Sequence, residues 1–210
     1  MTAKKTQTDR NRMNELETIK KYVARHIDLT LEEQEYFVSL LRVNKVKKKQ
    51  FIVQPEFICK YRSYIHSGAM RAYLVDNNAN EHTIAFAIED WWISDFNSYI
   101  FQQPATLFVE ALEATTLIQL DYNAEQLLKE TIPKFEKLFR ILTERSFAFL
   151  QKRMLSNLSM TAEERYEDFI TNYSKIAQRV PQYALASYLG MSTEYLSKLR
   201  NNRVSKKRLN

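Results

Sequence analysis

Residues 182–199 read QYALASYLGMSTEYLSKL, and this stretch decides the C-terminal fold. With Gln182 as position 1, apolar residues fall at positions 4, 8, 10, 15 and 18, a small residue at 5, and Gly190 at 9. Two helices that cross through a three- or four-residue turn need this pattern. Glycine accepts the positive φ that such a turn demands, and the chain has only two glycines. The stretch predicts a helix-turn-helix with Gly190 at its turn.

The second helix of such a motif can present side chains to base edges in the major groove of DNA. At its start stand hydroxyls, one acid and one cation. Glu194 can accept a hydrogen bond from cytosine N4, and Lys198 can donate to guanine O6 and N7. The predicted base-reading residues are Ser192, Thr193, Glu194, Ser197 and Lys198.

The basic charge of the chain is concentrated at its C-terminal end. The net charge is +6, and residues 198–210 contain six Lys and Arg with no acid, so residues 1–197 are balanced (31 − 6 = 25 basic, 25 acidic). A basic end on a balanced protein indicates a polyanionic partner, although it is also compatible with a solvated tail. The predicted contacts to the DNA backbone are Arg200, Asn201, Arg203, Lys206 and Lys207.

The middle of the chain is predicted to be β-structure. Between about residues 45 and 121 the sequence has short runs rich in Val, Ile, Phe and Tyr, separated by polar turns, which is typical of an antiparallel sandwich or roll. Helical spacing over residues 14–27 and a capping-box pattern at Thr30 predict a helix pair before it. Thr161 begins a second capping box. Residues 1–13 have no periodicity and are predicted to be disordered.

Residues 132–158 predict one long helix that is apolar on two sides. Thirteen of these 27 positions are apolar, more than one stripe on one domain can use. One solution is to pack one side on the domain and the other on a second subunit; the alternative is a central helix in a monomeric core. The predicted dimerisation residues are Phe135, Leu138, Leu142 and Phe149.

Composition excludes several classes of protein. No apolar run reaches the roughly 18 residues needed to span a bilayer, and the N-terminus lacks the apolar core of a secretory signal, so we expect a cytoplasmic protein with no membrane partner. One cysteine, Cys59, excludes an internal disulfide and a four-cysteine metal or iron–sulfur site. No cofactor, metal site, catalytic residue or enzymatic activity is predicted.

This order of elements resembles the Crp/Fnr family, the cyclic-AMP receptor protein type of transcription regulator, over the chain after residue 13. The motifs that carry the resemblance are AEERYEDFI at 162–170 and RVPQYALASYLGMSTEYLSKLR at 179–200, similar to the Bacteroidetes branch. The resemblance implies an α+β fold with an N-terminal β-roll of the cyclic-nucleotide-binding type, a homodimer on double-stranded DNA, a small-molecule effector and contact with RNA polymerase. The implied segments are 1–13 (tail), 14–130 (sensor), 131–160 (central dimerisation helix) and 161–210 (helix-turn-helix domain).

Two departures from the family pattern change what is expected. Cyclic-nucleotide binders carry a Gly-Glu pair and, some ten residues later, an Arg beside Ser or Thr. Here residues 92–96 (WISDF) and 103–106 (QPAT) have neither the glycine nor the arginine, so a phosphate would lack its bidentate cation, and we predict no binding of cyclic AMP. Thr193 and Lys198 replace two family arginines, which predicts a different DNA target.

Three alternatives remain open at the level of sequence. A helix-turn-helix protein could act in protein interaction without binding DNA. A cupin-like roll could bind metal through His66, Glu81 and His82, although the His-x-His spacing of such sites is absent, and haem ligation by a histidine or Cys59 also stays open. An effector pocket could form from aromatic residues that would serve equally well as core: Tyr73, Phe86, Trp92 and Phe96.

Overall fold

A computed structural model describes the backbone of residues 2–208 and the side chains of residues 13–203. Two helices precede a roll of eight strands, and further helices follow it. The bounds are α1 Thr2–Ala24, α2 Leu31–Ser39, β1 Leu41–Val46, β2 Phe51–Val53, β3 Tyr61–Ser67, β4 Met70–Val75, β5 Glu81–Ala87, β6 Trp92–Ile93, α3 Phe96–Phe101, β7 Phe108–Ala111, β8 Thr115–Asp121, α4 Tyr122–Thr131, α5 Lys134–Ser159, α6 Ala162–Asn172, α7 Ser174–Arg179, α8 Gln182–Leu189 and α9 Thr193–Arg208.

The strands form two four-stranded antiparallel sheets, in the orders β1-β8-β3-β6 and β2-β7-β4-β5. Strand β8 pairs with both β1 and β3, and β4 pairs with both β5 and β7, so residues distant in sequence close the roll. The predicted α+β class, with a β-roll, a long central helix and C-terminal helices, is confirmed.

Local sequence signals explain several element ends. Thr30 and Thr161 each form a complete capping box, with Glu33 and Glu164 respectively, as predicted. At Gly68, φ is +111°, and a β-carbon there would collide with Thr115. Glycine is therefore required at this turn by both conformation and space.

Some boundaries differ from those that the sequence indicates. Helix α1 begins at Thr2 and so includes most of the stretch for which we expected disorder; that stretch has no Pro or Gly and is rich in residues of good helix propensity. Strand β1 begins at Leu41, directly after Leu40, the residue that caps the end of α2. Helices α3 and α7 have six residues each, too short for a clear periodic pattern.

Three hydrophobic clusters hold these elements together. One joins α1, α2, α4 and the first turns of α5 to the outer face of the β1-β8-β3-β6 sheet. Another fills the interior of the roll between its two sheets. The remaining cluster includes Phe86 and Leu112 of the roll together with Phe169, Leu185 and Leu196. Helices α6–α9 therefore share one core with the roll, and α8 packs directly on β5.

Candidate DNA-binding surface

The turn between α8 and α9 has the geometry that the sequence predicts. Gly190 ends α8 in the left-handed conformation, with φ +68° and ψ +42°. Its N–H donates to the carbonyls of Ala186 and Ser187, and the Met191 N–H donates to Ala186 O at 3.0 Å. These bonds satisfy carbonyls that the end of a helix leaves without partners. A β-carbon at Gly190 would have room, so its backbone angle is what requires glycine.

Helix α9 starts with a side-chain cap and faces the same core as α8. The Ser192 hydroxyl accepts from Tyr195 N–H at 3.1 Å, as an N-cap serine does. Leu196 and Leu199 are buried against Leu185 and Leu189. The apolar positions of the motif therefore form the shared core of the two helices, and the opposite side of α9 is left to solvent.

Four of the five predicted base-reading residues are exposed on that side: Ser192, Thr193, Glu194 and Lys198, while Ser197 is half-buried. Hydrogen bonds from its own backbone N–H and from the Ser192 side chain lower the pKa of Glu194. The carboxylate is thus ionised at neutral pH and available as an acceptor. The base-reading roles of these five residues are a prediction.

The predicted backbone-contacting residues continue along α9. Arg200 and Asn201 are exposed. Arg203 lies 3.4 Å from the Glu167 carboxylate, an exposed ion pair of the kind that contributes little stability and exchanges readily for another anion. The side chains of Lys206 and Lys207 lie outside the described residues, although α9 itself extends to Arg208.

The hydroxyl of Ser187 in α8 bonds the backbone of β5, the edge strand of the roll. Ser187 Oγ accepts from Thr83 N–H at 2.8 Å and donates to Glu81 O at 2.6 Å. Strand β5 is the last strand of its sheet, so its outward backbone groups would otherwise lack ladder partners. The serine satisfies two of these groups and thereby fixes α8 on β5.

Two arginines reinforce this docking. Arg153 of α5 donates to carbonyls on both sides, to Thr83 and Ile84 in the roll and to Tyr188 in α8. Arg179 of α7 donates to both oxygens of Glu89 at 2.6 and 3.0 Å and also to Glu113. Neither arginine was identified from the sequence, because their partners are 35 to 90 residues away in the chain.

The predicted dimerisation residues require a correction. Phe135, Leu138 and Leu142 are buried within the chain's own first cluster, so they cannot contact a second subunit. Phe149 is half-buried and packs edge-on against Trp91 and Tyr173. The apolar side chains of α5 that are exposed lie nearer its end; we call them the exposed stripe: Phe147, Leu150, Met154, Leu155 and Leu158.

Residues 92–107 correspond to the segment that binds the phosphate in cyclic-nucleotide-binding members of the family; we call this segment the cassette, and here it holds an internal carboxylate. Asp95, 1% exposed, accepts from the backbone N–H groups of Ser98 (3.1 Å), Thr106 (2.9 Å) and Leu107 (3.0 Å). Backbone amides at a helix start and its adjoining loop are groups that hold anions. Here the chain's own aspartate uses them, and Ala105 stands beside Thr106 where the family pattern has arginine.

The four residues suggested for an effector pocket lie in separate environments. Tyr73 stacks on Phe108 and donates to Glu110, whereas Phe86 packs against Phe169 and Tyr188. Trp92 lies on the outer face of the β1-β8-β3-β6 sheet, against the helices that cover it. The ring of Phe96 lies under the guanidinium of Arg62. They therefore do not line one cavity together, which supports the reading of these side chains as core.

The proposed metal ligands of the cupin-like alternative also have other partners. Glu81 pairs with Arg71 at 2.7 Å, and His82 bonds Asp76 at 2.9 Å. Within the described part of the chain, no group of three or more His, Cys, Asp or Glu is placed to hold a metal ion. None of the helices described here is long and apolar enough to cross a membrane.

No family model and no curated protein sequence matches the chain. Solved structures do. The c-di-GMP responsive regulator CLP of Xanthomonas campestris has a TM-score of 0.68 at 12% identity, over 85% of this chain and 93% of CLP. FixK2 of Bradyrhizobium japonicum has a TM-score of 0.68 at 16% identity, over 80% of this chain and 86% of FixK2. A transcriptional regulator of the Crp/Fnr family from Eubacterium rectale has a TM-score of 0.66 at 16% identity, over 85% of each chain. The chain has the fold of Crp/Fnr regulators.

Proposed function

We propose that this protein is a dimeric, sequence-specific DNA-binding transcription regulator of the Crp/Fnr type that acts in the cytoplasm and is not an enzyme. The observation that supports this best is the geometry of the α8–α9 pair. Its apolar residues are buried in a shared core, while the start of α9 exposes Thr193, Glu194 and Lys198 to solvent. A recognition helix needs this division between a buried and a reading face.

In this proposal Glu194 and Lys198 read bases, and the hydroxyls of Ser192, Thr193 and Ser197 contact base edges or phosphates. Arg200, Asn201, Arg203 and the following lysines contact phosphates and supply affinity that does not depend on sequence. Arg203 would exchange its exposed ion pair with Glu167 for a DNA phosphate.

Dimerisation would use the exposed stripe of α5. Phe147, Leu150, Met154 and Leu158 follow one another at steps of three, four and four, so they lie on one side of the helix. Large apolar side chains in a contiguous exposed patch mark an interaction surface. A second copy of α5 packed on this stripe would bring two recognition helices to the two halves of a palindromic site.

The roll would act as a sensor or as its vestige, with no affinity for cyclic AMP. The Asp95 carboxylate already binds three amides of the cassette, and with Ala105 where the family has arginine a bound phosphate would lack a bidentate cation. Calorimetry should detect no heat of binding with cyclic AMP at millimolar concentration; micromolar affinity would contradict the prediction. Contact with RNA polymerase follows only from the resemblance to transcription regulators.

The test is fluorescence anisotropy on DNA that the protein selects from a random pool, at two salt concentrations. Replacing Arg203, Lys206 and Lys207 together by Ala should weaken binding to every sequence and reduce the salt slope by about 3. The matched control replaces Lys47, Lys48 and Lys49, whose turn adjoins β2 at the sheet edge opposite β5. This control should bind as the wild type does.

If the triple variant loses binding to one DNA sequence but not to others, the assignment of these residues to phosphate contacts is contradicted. Absence of salt-sensitive binding to any DNA would instead favour a helix-turn-helix interaction protein. In that case the exposed start of α9 would serve a protein partner.

A further inference from the structure

A polar row crosses the inner face of the roll, where an apolar core would be expected. Asn44 of β1 donates to Gln119 Oε1 at 3.2 Å, and Gln119 of β8 donates from Nε2 to Ser63 Oγ of β3 at 2.9 Å. Ser63 and Gln119 are direct cross-strand partners and are 1% and 3% exposed. The residues two positions along the same strands, Ile65 and Leu117, face the same side and belong to the apolar interior.

A cavity of about 250 Å³ lies over this row. Ser63 and Gln119 line it from one sheet, and Phe51, Ile52 and Val53 line it from the other. At the rim, Phe57 and Ile58 are 70% and 43% exposed, although both are large and apolar. The space thus combines apolar walls with a few polar groups, which is typical of small-molecule sites.

In the part of the chain that the structure describes, hydrogen-bond donors without a partner line this cavity, beside the Gln54 and Tyr61 residues, whose polar groups can both donate and accept. Ser63 Oγ accepts from Gln119, but its own hydrogen has no acceptor within hydrogen-bond distance among the described residues. The Gln119 amide has a second N–H, since one amide nitrogen carries two hydrogens and only the bond to Ser63 is found in the described region. Lys60 also lines the cavity, adding a cation. A ligand with acceptor oxygens would satisfy these donors.

This cavity adjoins the cyclic-nucleotide cassette without including it: Ile58 bridges Pro104, and the Cys59 N–H donates to Ser98 Oγ at 2.9 Å. None of residues 94–96 or 103–106 lines it; its walls come from β2, the loop after β2, and the inner ends of β3 and β8. The cassette amides are bound to Asp95, whereas the donors here are uncommitted.

We propose that the roll binds a small monocarboxylate with an apolar body in this cavity, its carboxylate facing Ser63, Gln119 and Lys60 and its body between Phe51 and Ile58. The volume is just below the usual range of about 300–1,000 Å³ for ligand pockets, so the ligand is smaller than a nucleotide. Charge-assisted bonds from Lys60 and the two neutral donors would orient the acid.

The probe for the test is 3-phenylpropanoate, titrated calorimetrically into the full-length protein, with 3-phenylpropylamine as the probe of equal size and opposite charge. We expect saturable binding of the acid with a Kd of about 0.1–1 mM, and no binding of the amine. Lys60→Met and Gln119→Leu should each weaken binding of the acid about tenfold. Lys48→Met, in the exposed turn before β2, is the matched control and should leave the Kd unchanged.

Absence of saturable binding of the acid up to about 10 mM would overturn the proposal. Equal affinity for acid and amine, or an unchanged Kd in Lys60→Met, would overturn it as well. Lys60 is exposed, so its variant decides the question even if the buried Gln119→Leu variant fails to fold. The readout uses no DNA, so its failure leaves the proposed DNA-binding function untouched.

Discussion

Arg153 Nη2 donates to the backbone carbonyl of Thr83 at 2.9 Å and thereby ties the central helix to the edge of the roll. The same nitrogen lies 3.1 Å from the carbonyl of Tyr188 in α8, whose ring also faces the guanidinium. No carboxylate lies within ion-pair distance of Arg153 in the described part of the chain, and burial lowers its pKa. One side chain of the central helix thus joins the roll to α8 without an ion pair.

Replacing Arg153 by Met should reduce stability. The variant keeps most of the apolar stem but leaves the carbonyls of Thr83, Ile84 and Tyr188 without this donor, a loss of about 2 kcal/mol in the free energy of unfolding by urea titration. Arg140→Met, on the same helix but 61% exposed and paired only with Glu144, should change it by less than about 0.5 kcal/mol. Equal losses in both variants would contradict the docking role of Arg153.

Replacing Ser187 by Ala should open the edge of β5 locally. The Thr83 amide would lose its acceptor in α8, so its hydrogen exchange should become about tenfold faster. Exchange measured by NMR on the amides of β3, an interior strand, should be unchanged. Ser159→Ala, at the exposed end of α5, is the control and should leave the Thr83 amide protected. Unchanged exchange at Thr83 in Ser187→Ala would show that α8 does not cover this edge in solution.

The Arg179–Glu89 pair predicts a loss of stability in acid. Hydrogen bonds from Arg179 hold the pKa of Glu89 at about 2, below its ordinary 4.5. Because the folded state binds the proton less tightly than the unfolded state, this contribution is present above about pH 4.5 and is lost as the pH falls towards 2. The Tm should therefore fall less between about pH 5 and about pH 3 in Glu89→Gln than in the wild type. Glu130→Gln, at an exposed position, should follow the wild type; an identical fall in all three proteins would contradict the assignment.

The exposed stripe predicts how to separate the proposed dimer. Leu150→Asp with Met154→Asp should give a monomer by sedimentation velocity, because two carboxylates would be buried without partners at the interface. Both residues are at least half exposed in the single chain, so the variant should keep its circular dichroism spectrum. Phe101→Asp, at a position on α3 that is at least as exposed, should leave the sedimentation coefficient unchanged. A wild-type chain that sediments as a monomer would contradict the proposed dimer.

Local patterns predicted the elements whose causes are local. The left-handed angle at Gly190 and the capping boxes at Thr30 and Thr161 each depend on residues within a few positions, and all three are confirmed. The central helix was different. Its periodicity indicated two apolar sides but not which side the chain itself would cover, so Phe135, Leu138 and Leu142 were assigned to the wrong surface.

Contacts between distant segments were not predictable from the sequence. Ser187 and Thr83 are 104 residues apart, and a serine in an amphipathic helix carries no sign that it will cap a strand edge. The polar row of Asn44, Gln119 and Ser63 likewise exists only once three strands are paired in register. The sequence showed only that the cassette lacks the glycine and the arginine, and the bonds of Asp95 to Thr106 and Leu107 show that a carboxylate uses the cassette amides.

The most direct test of the central proposal is selection of DNA by the purified protein from a random pool, followed by sequencing. We predict an inverted repeat with half-site centres about 10 base pairs or a multiple of this apart. Glu194→Ala and Lys198→Ala should each relax selection at one position of each half-site, at a cost of about 1–3 kcal/mol for the affected base pair. A pool that stays random after repeated rounds, or a consensus with no two-fold symmetry, would contradict the account.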